Sequence, residues 1–348
     1  MAPCAQSPSD EDELSLVRGG PVYRLLRRTG VVRGDGLATP RQVMLFVAAT
    51  WAPMMLLALL QRLLVSGWDP LVRDFSVHAR LLVAIPLLLI GDGVLDVLTC
   101  HATARFARGR FADDPRAERR VLDSARRLRD ALAPELLMVG FAVLTGQVLF
   151  WEGSPSTGLL RSSTSAIVHS PANFWYAFIA LPVAQFLFAR WLWRWLIWSR
   201  LIWQFSRLKG ELEPTHPDRK GGIEFLSDAA TGFAAGLAAF SAVQSGAWLS
   251  RILFEGASAK EFFGDYWVLL TGALLFTHAP LLVWSSRLWR LRHAGGRKFG
   301  QFSVEYSRLF DHKWLERRRL VEDPLGSPDI QSLADLSSSF AVGAHSCS

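Results

Sequence analysis

Five charged side chains lie within long apolar segments or at their ends, and these residues have the clearest potential for chemistry. Asp92 and Asp96 interrupt the run LLVAIPLLLIGDGVLDVL, Glu135 opens the next apolar run, and Arg190 and Arg194 stand in the tryptophan-rich string RWLWRWLIW. An ionisable group inside a membrane span is costly, so each is a functional candidate. Asp92 and Asp96 are four residues apart, so they lie on one face of a helix.

The direction of the apolar segments predicts that four of these residues form one charged layer, while Asp92 is the carboxylate deepest in the membrane. If the segment of Asp96 runs inward, that of Glu135 outward and that of Arg190 inward, all three reach a similar depth near the inner membrane boundary, with Arg194 at the edge. Two interpretations remain open. In the functional interpretation, the layer is an ion relay, a proton relay or a polar cavity. In the structural one, Asp96 and Arg190 form an ion pair between helices, and arginine side chains extend to the interface.

Two histidines are further candidates. His278 is in the middle of an apolar segment, where it either joins a proton path or hydrogen-bonds a neighbouring helix. In the string PTHPDRKGG, His216 and Asp218 can act as an acid–base or metal-binding pair, and Gly221 and Gly222 allow positive φ and close approach to a ligand. The alternative is a turn that caps a helix, with Asp218 or the glycines satisfying backbone N–H groups. No further ligand is evident, so no metal site is predicted.

Three strings carry a family resemblance: PTHPDRKGGIEFL, VEYSRLFDHKW and PLGSPDIQSLADLSSSF. From about the second apolar segment to residue 340, the chain resembles a family of bacterial multi-pass membrane proteins with an HPD-x-x-GG loop and a late KW motif. The resemblance implies architecture and no activity. Family members continue past the SLADL string into another apolar stretch, whereas this chain ends in AVGAHSCS, so the resemblance predicts a shortened C-terminus.

The composition predicts an all-α polytopic membrane protein. Of 348 residues, 50% are hydrophobic and the mean hydropathy is +0.21, while the 20% that are charged are segregated from the apolar runs. This excludes a disordered chain, a disulfide scaffold and a typical soluble enzyme. Because a span needs about 20 apolar residues, we predict a transmembrane helical bundle with six spans, at about 42–65, 80–100, 132–151, 171–198, 229–250 and 266–286.

Basic residues alternate between the connections and predict the orientation. Six arginines precede the first span, nine lie between His101 and Asp130, and the other basic clusters follow the fourth and sixth spans. The remaining three connections are poor in basic residues, so both termini are expected to be cytoplasmic. We therefore divide the chain into an N-terminal tail (1–41), the transmembrane domain (42–290) and a C-terminal segment (291–348).

Several smaller features complete the expected architecture. Residues 1–17 are polar and acidic and are predicted to be disordered. Residues 102–130 are expected to form an arginine-rich interfacial helix on the cytoplasmic side, 208–228 a loop, and 300–320 a second amphipathic segment. Gly232 and Gly236 form a GxxxG helix-packing motif. A set of tryptophans is expected to form an interfacial belt: residues 191, 193, 195, 198 and 203.

Three classes of function remain possible. The leading one is a transporter or channel whose charged layer and HPD loop line a polar cytoplasmic vestibule. The alternatives are a membrane-embedded enzyme that uses His216 and Asp218, and a scaffold that binds partners through 102–130. No P-loop, dinucleotide fingerprint, HExxH or GxSxG occurs, so no cofactor is expected and a non-enzymatic protein is favoured.

The expected environment and partners follow from the charges. The net charge of +7 and the 33 arginines against 5 lysines indicate anionic lipid headgroups as partners of the basic face, a GC-rich bacterial genome and the bacterial inner membrane. Nucleic acid is not expected, and a homo-oligomer is possible. No signal-type apolar core precedes the first span, which is expected to remain in the mature protein.

Overall fold

The computed structural model describes residues 14–28, 39–65, 70–109, 114–152, 170–210, 212, 216, 218, 220–315 and 328–335, and these ranges contain helices and no strand. The α-helices are α1 (Pro21–Arg28), α2 (Pro40–Val65), α3 (Phe75–His78), α4 (Ile85–Gly109), α5 (Pro115–Asp130), α6 (Leu132–Glu152), α7 (Pro171–Trp175), α8 (Leu181–Arg207), α9 (Phe225–Thr231), α10 (Ala234–Glu255), α11 (Phe263–Leu282) and α12 (Ser285–Phe310). A further helical segment covers 328–335.

The prediction of an all-α polytopic bundle is confirmed. Within the described ranges, five stretches are long and apolar enough to cross a membrane, and a bent pair of helices makes up to six. The bent pair is the last predicted span: Ala259–Leu282 and Ser285–Leu291 meet at 53°. Pro280 lies inside α11 just before the break. Proline removes a backbone donor and collides with the preceding turn, so a bend follows near it.

The distribution of side chains is that of a bundle surrounded by lipid. Large apolar residues are exposed along α2, α6 and α11, among them Met44, Leu137 and Val268 at 72–74%. Charged residues such as Asp92 and Arg194 are instead buried at 6% and 3%. This arrangement places apolar groups outside and ionised groups inside, as hydrocarbon surroundings require. The chain is a multi-pass membrane protein.

Two of the spans contain a π-helical segment near the end opposite to α5. Ala79–Ala84 joins α3 to α4, and Tyr176–Ala180 joins α7 to α8. Arg80 lies in the first segment and Tyr176 in the second, and the Arg80 guanidinium donates a hydrogen bond to the Tyr176 hydroxyl. Single π-helical turns inside α-helices occur frequently at functional sites.

The arginine-rich helix at the other end packs on protein along its apolar stripe, while its predicted interfacial position stays a prediction. α4 continues to Gly109, and α5 then begins with Asp114 as its N-cap. The apolar stripe of α5 is buried in the core at Val121, Leu122 and Ala125, and α5 packs against α8. This end, which also carries α1, is called the basic end below.

The N-terminal segment is another difference from the prediction. Residues 14–20, here called the strap, are ordered, and Leu14, Leu16 and Val17 are at most 1% exposed. Residues 1–13 lie outside the described part of the chain. The strap enters the core because three of its first four residues are apolar and pack there together. The acidic residues before it dominate the composition of 1–17 and hide this short apolar segment.

Helix contacts explain the GxxxG motif and correct the tryptophan belt. Gly236 lies directly against the Trp191 indole, where a Cβ would overlap the ring, and Gly232 lies against Leu95 of α4. Trp191 and Trp198 are core residues at 3% and 1% exposure. The Trp191 ring packs between helices because Gly236 of α10 carries no Cβ that would overlap it.

The late motifs meet at one aspartate. α12 is followed by a π-helical turn over Asp311–Leu315. The Lys313 ammonium lies 2.6 Å from a carboxylate oxygen of Asp329, and the Trp314 indole N–H donates to the same oxygen at 3.3 Å. Lys313 and Trp314 hold the pKa of the Asp329 carboxyl below its usual value. The KW motif therefore attaches the helical segment 328–335 to the end of α12.

Candidate functional site

Two direct ion pairs organise the charged layer. The Arg194 guanidinium pairs with the Asp92 carboxylate, and the two side chains are 4% and 9% exposed. One carboxylate oxygen of Asp96 lies 2.7 Å from Arg18 Nε, while the Ser15 hydroxyl donates a hydrogen bond to the other. Both aspartates lie on α4, so one face of this helix carries the anionic half of both pairs.

The expected pair between Asp96 and Arg190 is therefore not the pair that forms. The strap enters the basic end of the bundle and supplies Arg18 to Asp96, while Arg194, one turn beyond Arg190, reaches Asp92. The predicted pair is wrong because the strap, whose Arg18 directly follows the segment 1–17 that is predicted to be disordered, folds onto Asp96.

Within the charged layer, Arg190 is the residue without a direct partner in the described part of the chain. It is 6% exposed. It lies within electrostatic range of Asp92, Glu135 and Arg194. Among the residues that the structure describes, no hydrogen bond or ion pair to its guanidinium is formed. A buried guanidinium has five donors to satisfy, so this group is suited to an anionic ligand.

The Arg190 side chain borders a cavity of about 300 Å³ between α2, α4, α6 and α8, here called the side cavity. Asp92 and Gln42 are its other polar lining residues, and the remaining wall is apolar. Val139 and Val143 line the cavity and are also exposed at 40% and 43% on the outside of the bundle. The side cavity thus opens laterally, toward the lipid-facing surface of α6.

The strap covers the charged layer at the basic end. Besides the bonds of Ser15 and Arg18 to Asp96, hydrogen bonds fix the strap and the start of α1 at Leu14 N to Thr103 Oγ1 (3.1 Å), Arg129 Nη1 to Ser15 O (2.7 Å), Gly20 N to Asp130 Oδ1 (3.0 Å) and Val22 N to Glu135 Oε2 (2.8 Å). Glu135, a member of the charged layer, therefore accepts a hydrogen bond from the Val22 backbone N–H. In this state the layer lies under a lid made of the chain's own N-terminal segment.

A second buried polar group near the opposite end was missed in the sequence. Asp74 is fully buried and caps α3 by accepting the Ser76 N–H at 2.9 Å. It lies within electrostatic range of Tyr176, which is bound by Arg80. Arg80 is the first residue of the predicted span 80–100. The available signal was the string RDFSVHAR, in which an N-cap residue and a second arginine precede an uninterrupted apolar run.

His278 stands apart from both groups. Its ring is exposed on α11, and Nδ1 lies 2.9 Å from the carbonyl oxygen of Leu274 in the same helix. The structure brings together Asp92, Asp96, Glu135, Arg190 and Arg194, and it places His278 on the outer face of the bundle. Neither the predicted proton path nor the predicted bond to a neighbouring helix is seen for this residue.

The HPD loop forms a capped turn. Asp218 Oδ1 accepts the backbone N–H groups of Lys220 and Gly222 at 2.9 and 3.0 Å, and Oδ2 accepts that of Glu224 at 3.2 Å. His216 Nδ1 lies 2.8 Å from Asp218 Oδ1. Burial alone would raise the pKa of the Asp218 carboxyl, but these backbone donors and His216 outweigh it and hold the pKa below its usual value. The carboxylate of Asp218 is thus committed to the turn.

The glycine pair of this loop has the positive φ that the sequence suggested. φ is +69° at Gly221 and +92° at Gly222. We expect Gly222→Ala to destabilise the protein by about 1–2 kcal/mol, because a Cβ is strained in this conformation. Thermal unfolding in detergent measures the change. Gly264→Ala on α11, where no atom lies within 4 Å of a new Cβ, is the control, and an equal effect at both positions would contradict the role of φ.

No cluster of three or more histidine, cysteine, aspartate or glutamate side chains suited to a metal occurs among the described residues. Comparison of the chain with protein-family models, curated proteins and solved structures finds no match. The resemblance carried by the HPD and KW strings therefore remains a prediction.

Proposed function

We propose that this protein is a transporter-like membrane protein that binds a small amphiphilic anion in the side cavity. The observation that carries the proposal is the buried guanidinium of Arg190, which borders an apolar cavity without a direct partner among the described residues. An anionic group of the ligand would bind Arg190, and an apolar body would contact Leu187, Phe186 and Val143. The volume is at the lower end of the range for ligand cavities, about 300–1,000 Å³, which favours a small ligand.

A transporter is favoured over a channel because both ends of the bundle are closed near the charged groups. The strap covers the basic end through the Arg18–Asp96 pair. Toward the opposite end, Arg80 of one π-helical segment is joined to Tyr176 of the other. Contacts of this kind exchange partners readily, as alternating closure around a fixed site requires.

The proposed setting is the bacterial inner membrane with the basic end and both termini in the cytoplasm. The alternation of basic connections supports this orientation. The strap would then close the cytoplasmic side of the charged layer. The ligand would enter through the lateral opening between α2 and α6.

The two other functional classes receive less support. A catalytic HPD loop needs an available carboxylate, whereas both oxygens of Asp218 accept backbone N–H groups. A scaffold that binds through α5 needs a free apolar stripe, whereas Val121, Leu122 and Ala125 are buried against the bundle. The charged outer face of α5 remains accessible to partners.

Binding of octanoate to the protein in nanodiscs of neutral lipid tests the proposal. We expect saturable binding above empty nanodiscs, weaker or no binding of octanol and octylammonium, and uptake of octanoate into proteoliposomes. A hydrogen bond to a charged group contributes about 1.5–3 kcal/mol, so Arg190→Gln should weaken binding by about 10- to 150-fold. Arg190→Lys should restore part of it, because the charge is kept and the planar fork is lost.

Arg200→Gln, an exposed arginine on the same helix, is the matched control and should bind octanoate as the unmodified protein does. Equal binding of octanoate and octanol, or equal losses in Arg190→Gln and Arg200→Gln, would overturn the assignment of Arg190. Saturable binding of octanoate without its uptake into proteoliposomes would support the binding site at Arg190 and would reject the transport function.

A further inference from the structure

A second concave surface lies where α1 meets α6 at the basic end. It has a volume of about 380 Å³ and is bordered by one face of α1 and by the first two turns of α6. It is distinct from the side cavity, although Val22 and Val139 line both. We call it the α1–α6 groove.

The mouth of the groove is cationic. Arg24 and Arg28 are one helical turn apart on α1, line the groove and are exposed. Arg27 is also in the last turn of this helix. No acidic side chain forms an ion pair with Arg24 or Arg28 among the described residues, and the groove's carboxylate, Glu135, accepts the Val22 N–H. Arg24 Nε donates a hydrogen bond to the Gly20 carbonyl oxygen at 3.4 Å, and Arg24 lies within electrostatic range of Asp130. The terminal nitrogens of Arg24 and the guanidinium of Arg28 are therefore the groups available to an anion.

The floor of the groove is apolar and faces outward. Leu136 and Val139 are one turn apart on α6 and are 60% and 40% exposed, and Leu25 of α1 is 59% exposed. The candidate span Pro115–Val148 includes α5 and most of α6, and its apolar part is α6, which begins at Leu132. The groove therefore lies where this span enters the membrane. Cationic groups at this level beside an apolar surface running into the bilayer match a molecule with an anionic head and a long hydrocarbon chain.

We infer that the α1–α6 groove binds an anionic phospholipid, with the phosphate on Arg24 and Arg28 and an acyl chain along Leu136 and Val139. Charge complementarity identifies the head, and the exposed apolar face of α6 identifies the chain. The lipid bridges α1 and α6 directly after the strap. Its binding would therefore stabilise the position of the strap over the charged layer.

Native mass spectrometry of the full-length protein titrated with phosphatidylglycerol or phosphatidylcholine tests this site. We expect one phosphatidylglycerol molecule to bind more tightly than phosphatidylcholine. The double variant Arg24→Gln/Arg28→Gln should weaken this binding by about 30-fold, which corresponds to twice the free energy that one basic residue contributes at an anionic membrane surface. Leu136→Trp, which keeps both arginines and fills the floor, should also reduce binding. Inorganic phosphate at millimolar concentration should not displace the lipid, because it lacks the chain.

Arg119→Gln/Arg127→Gln removes the same charge from the exposed face of α5 and is the matched control. If this control loses as much phosphatidylglycerol as the α1 variant, or if phosphatidylcholine binds equally well, the site is overturned. If free phosphate displaces the lipid, the groove is a site for phosphate and the lipid assignment is wrong. Arg190→Gln should leave phosphatidylglycerol binding unchanged, so the failure of this site and the failure of the octanoate site can be distinguished.

Discussion

Asp92→Asn should destabilise the bundle by about 3–5 kcal/mol, the usual cost of removing one member of a buried ion pair. Asp92 is the direct partner of Arg194, and neither side chain is more than 9% exposed. The substitution leaves Arg194 uncompensated beside a second buried guanidinium, that of Arg190. Unfolding by sodium dodecyl sulfate in mixed micelles, followed by tryptophan fluorescence, measures the loss of free energy.

The double variant Asp92→Leu/Arg194→Met should regain much of that stability, because neither member of the pair is then left buried without the other. The exposed pair Arg251 and Glu255, 3.2 Å apart on α10, provides the control. There, Glu255→Leu is expected to change the free energy of unfolding by less than about 1 kcal/mol. A double variant at Asp92 and Arg194 no more stable than the worse single variant would contradict the pairing.

This outcome bears on how Asp92 is used. If Asp92 were a free carboxylate in a polar vestibule, its neutralisation would abolish flux and leave assembly intact. The ion pair with Arg194 predicts a loss of assembly as well. Arg190, which has no such partner among the described residues, is therefore the better residue for a functional test.

Leu16→Ala should destabilise the protein by about 2–5 kcal/mol, as expected for truncation of a fully buried leucine. Leu16 is 1% exposed within the strap, between Ser15 and Val17. Loosening the strap would also withdraw Ser15 and Arg18 from Asp96, so the loss should exceed that of an isolated core contact. The same mixed-micelle titration measures the change.

Leu25→Ala is the matched control, because Leu25 is only a few residues away on α1 and is 59% exposed. We expect its effect to stay within about 0.5 kcal/mol, the range of surface substitutions. Equal effects of Leu16→Ala and Leu25→Ala would mean that the strap does not contribute to the core.

The membrane-spanning architecture could be predicted from the sequence because it depends on local composition. A stretch such as 132–151 must be helical and apolar on its own to cross hydrocarbon, whatever its neighbours are. The positive φ of Gly221 and Gly222 and the helix contacts of Gly232 and Gly236 were predictable for a similar reason. Glycine at these positions removes a local steric restriction that any other residue would meet.

The partners of the buried charges could not be predicted in this way. The sequence singles out Asp92, Asp96, Glu135, Arg190 and Arg194 because ionised groups are rare in apolar segments, but spacing along the chain does not determine which helices are neighbours. Depth alone suggested a pair between Asp96 and Arg190. The structure pairs Asp96 with Arg18, 78 residues away in sequence.

The sequence by itself therefore determined which segments are helical and apolar, and it singled out five of the charges that are buried among them. Only the tertiary structure decided that Arg194 neutralises Asp92, that the strap covers the layer, and that Arg190 faces the side cavity. The physical reason is that hydrophobicity and helix formation act within one segment, whereas an ion pair or a cavity depends on the distance between atoms of several segments. Those distances are set by helix packing, which in this bundle depends on close contacts such as that of Gly236 with Trp191.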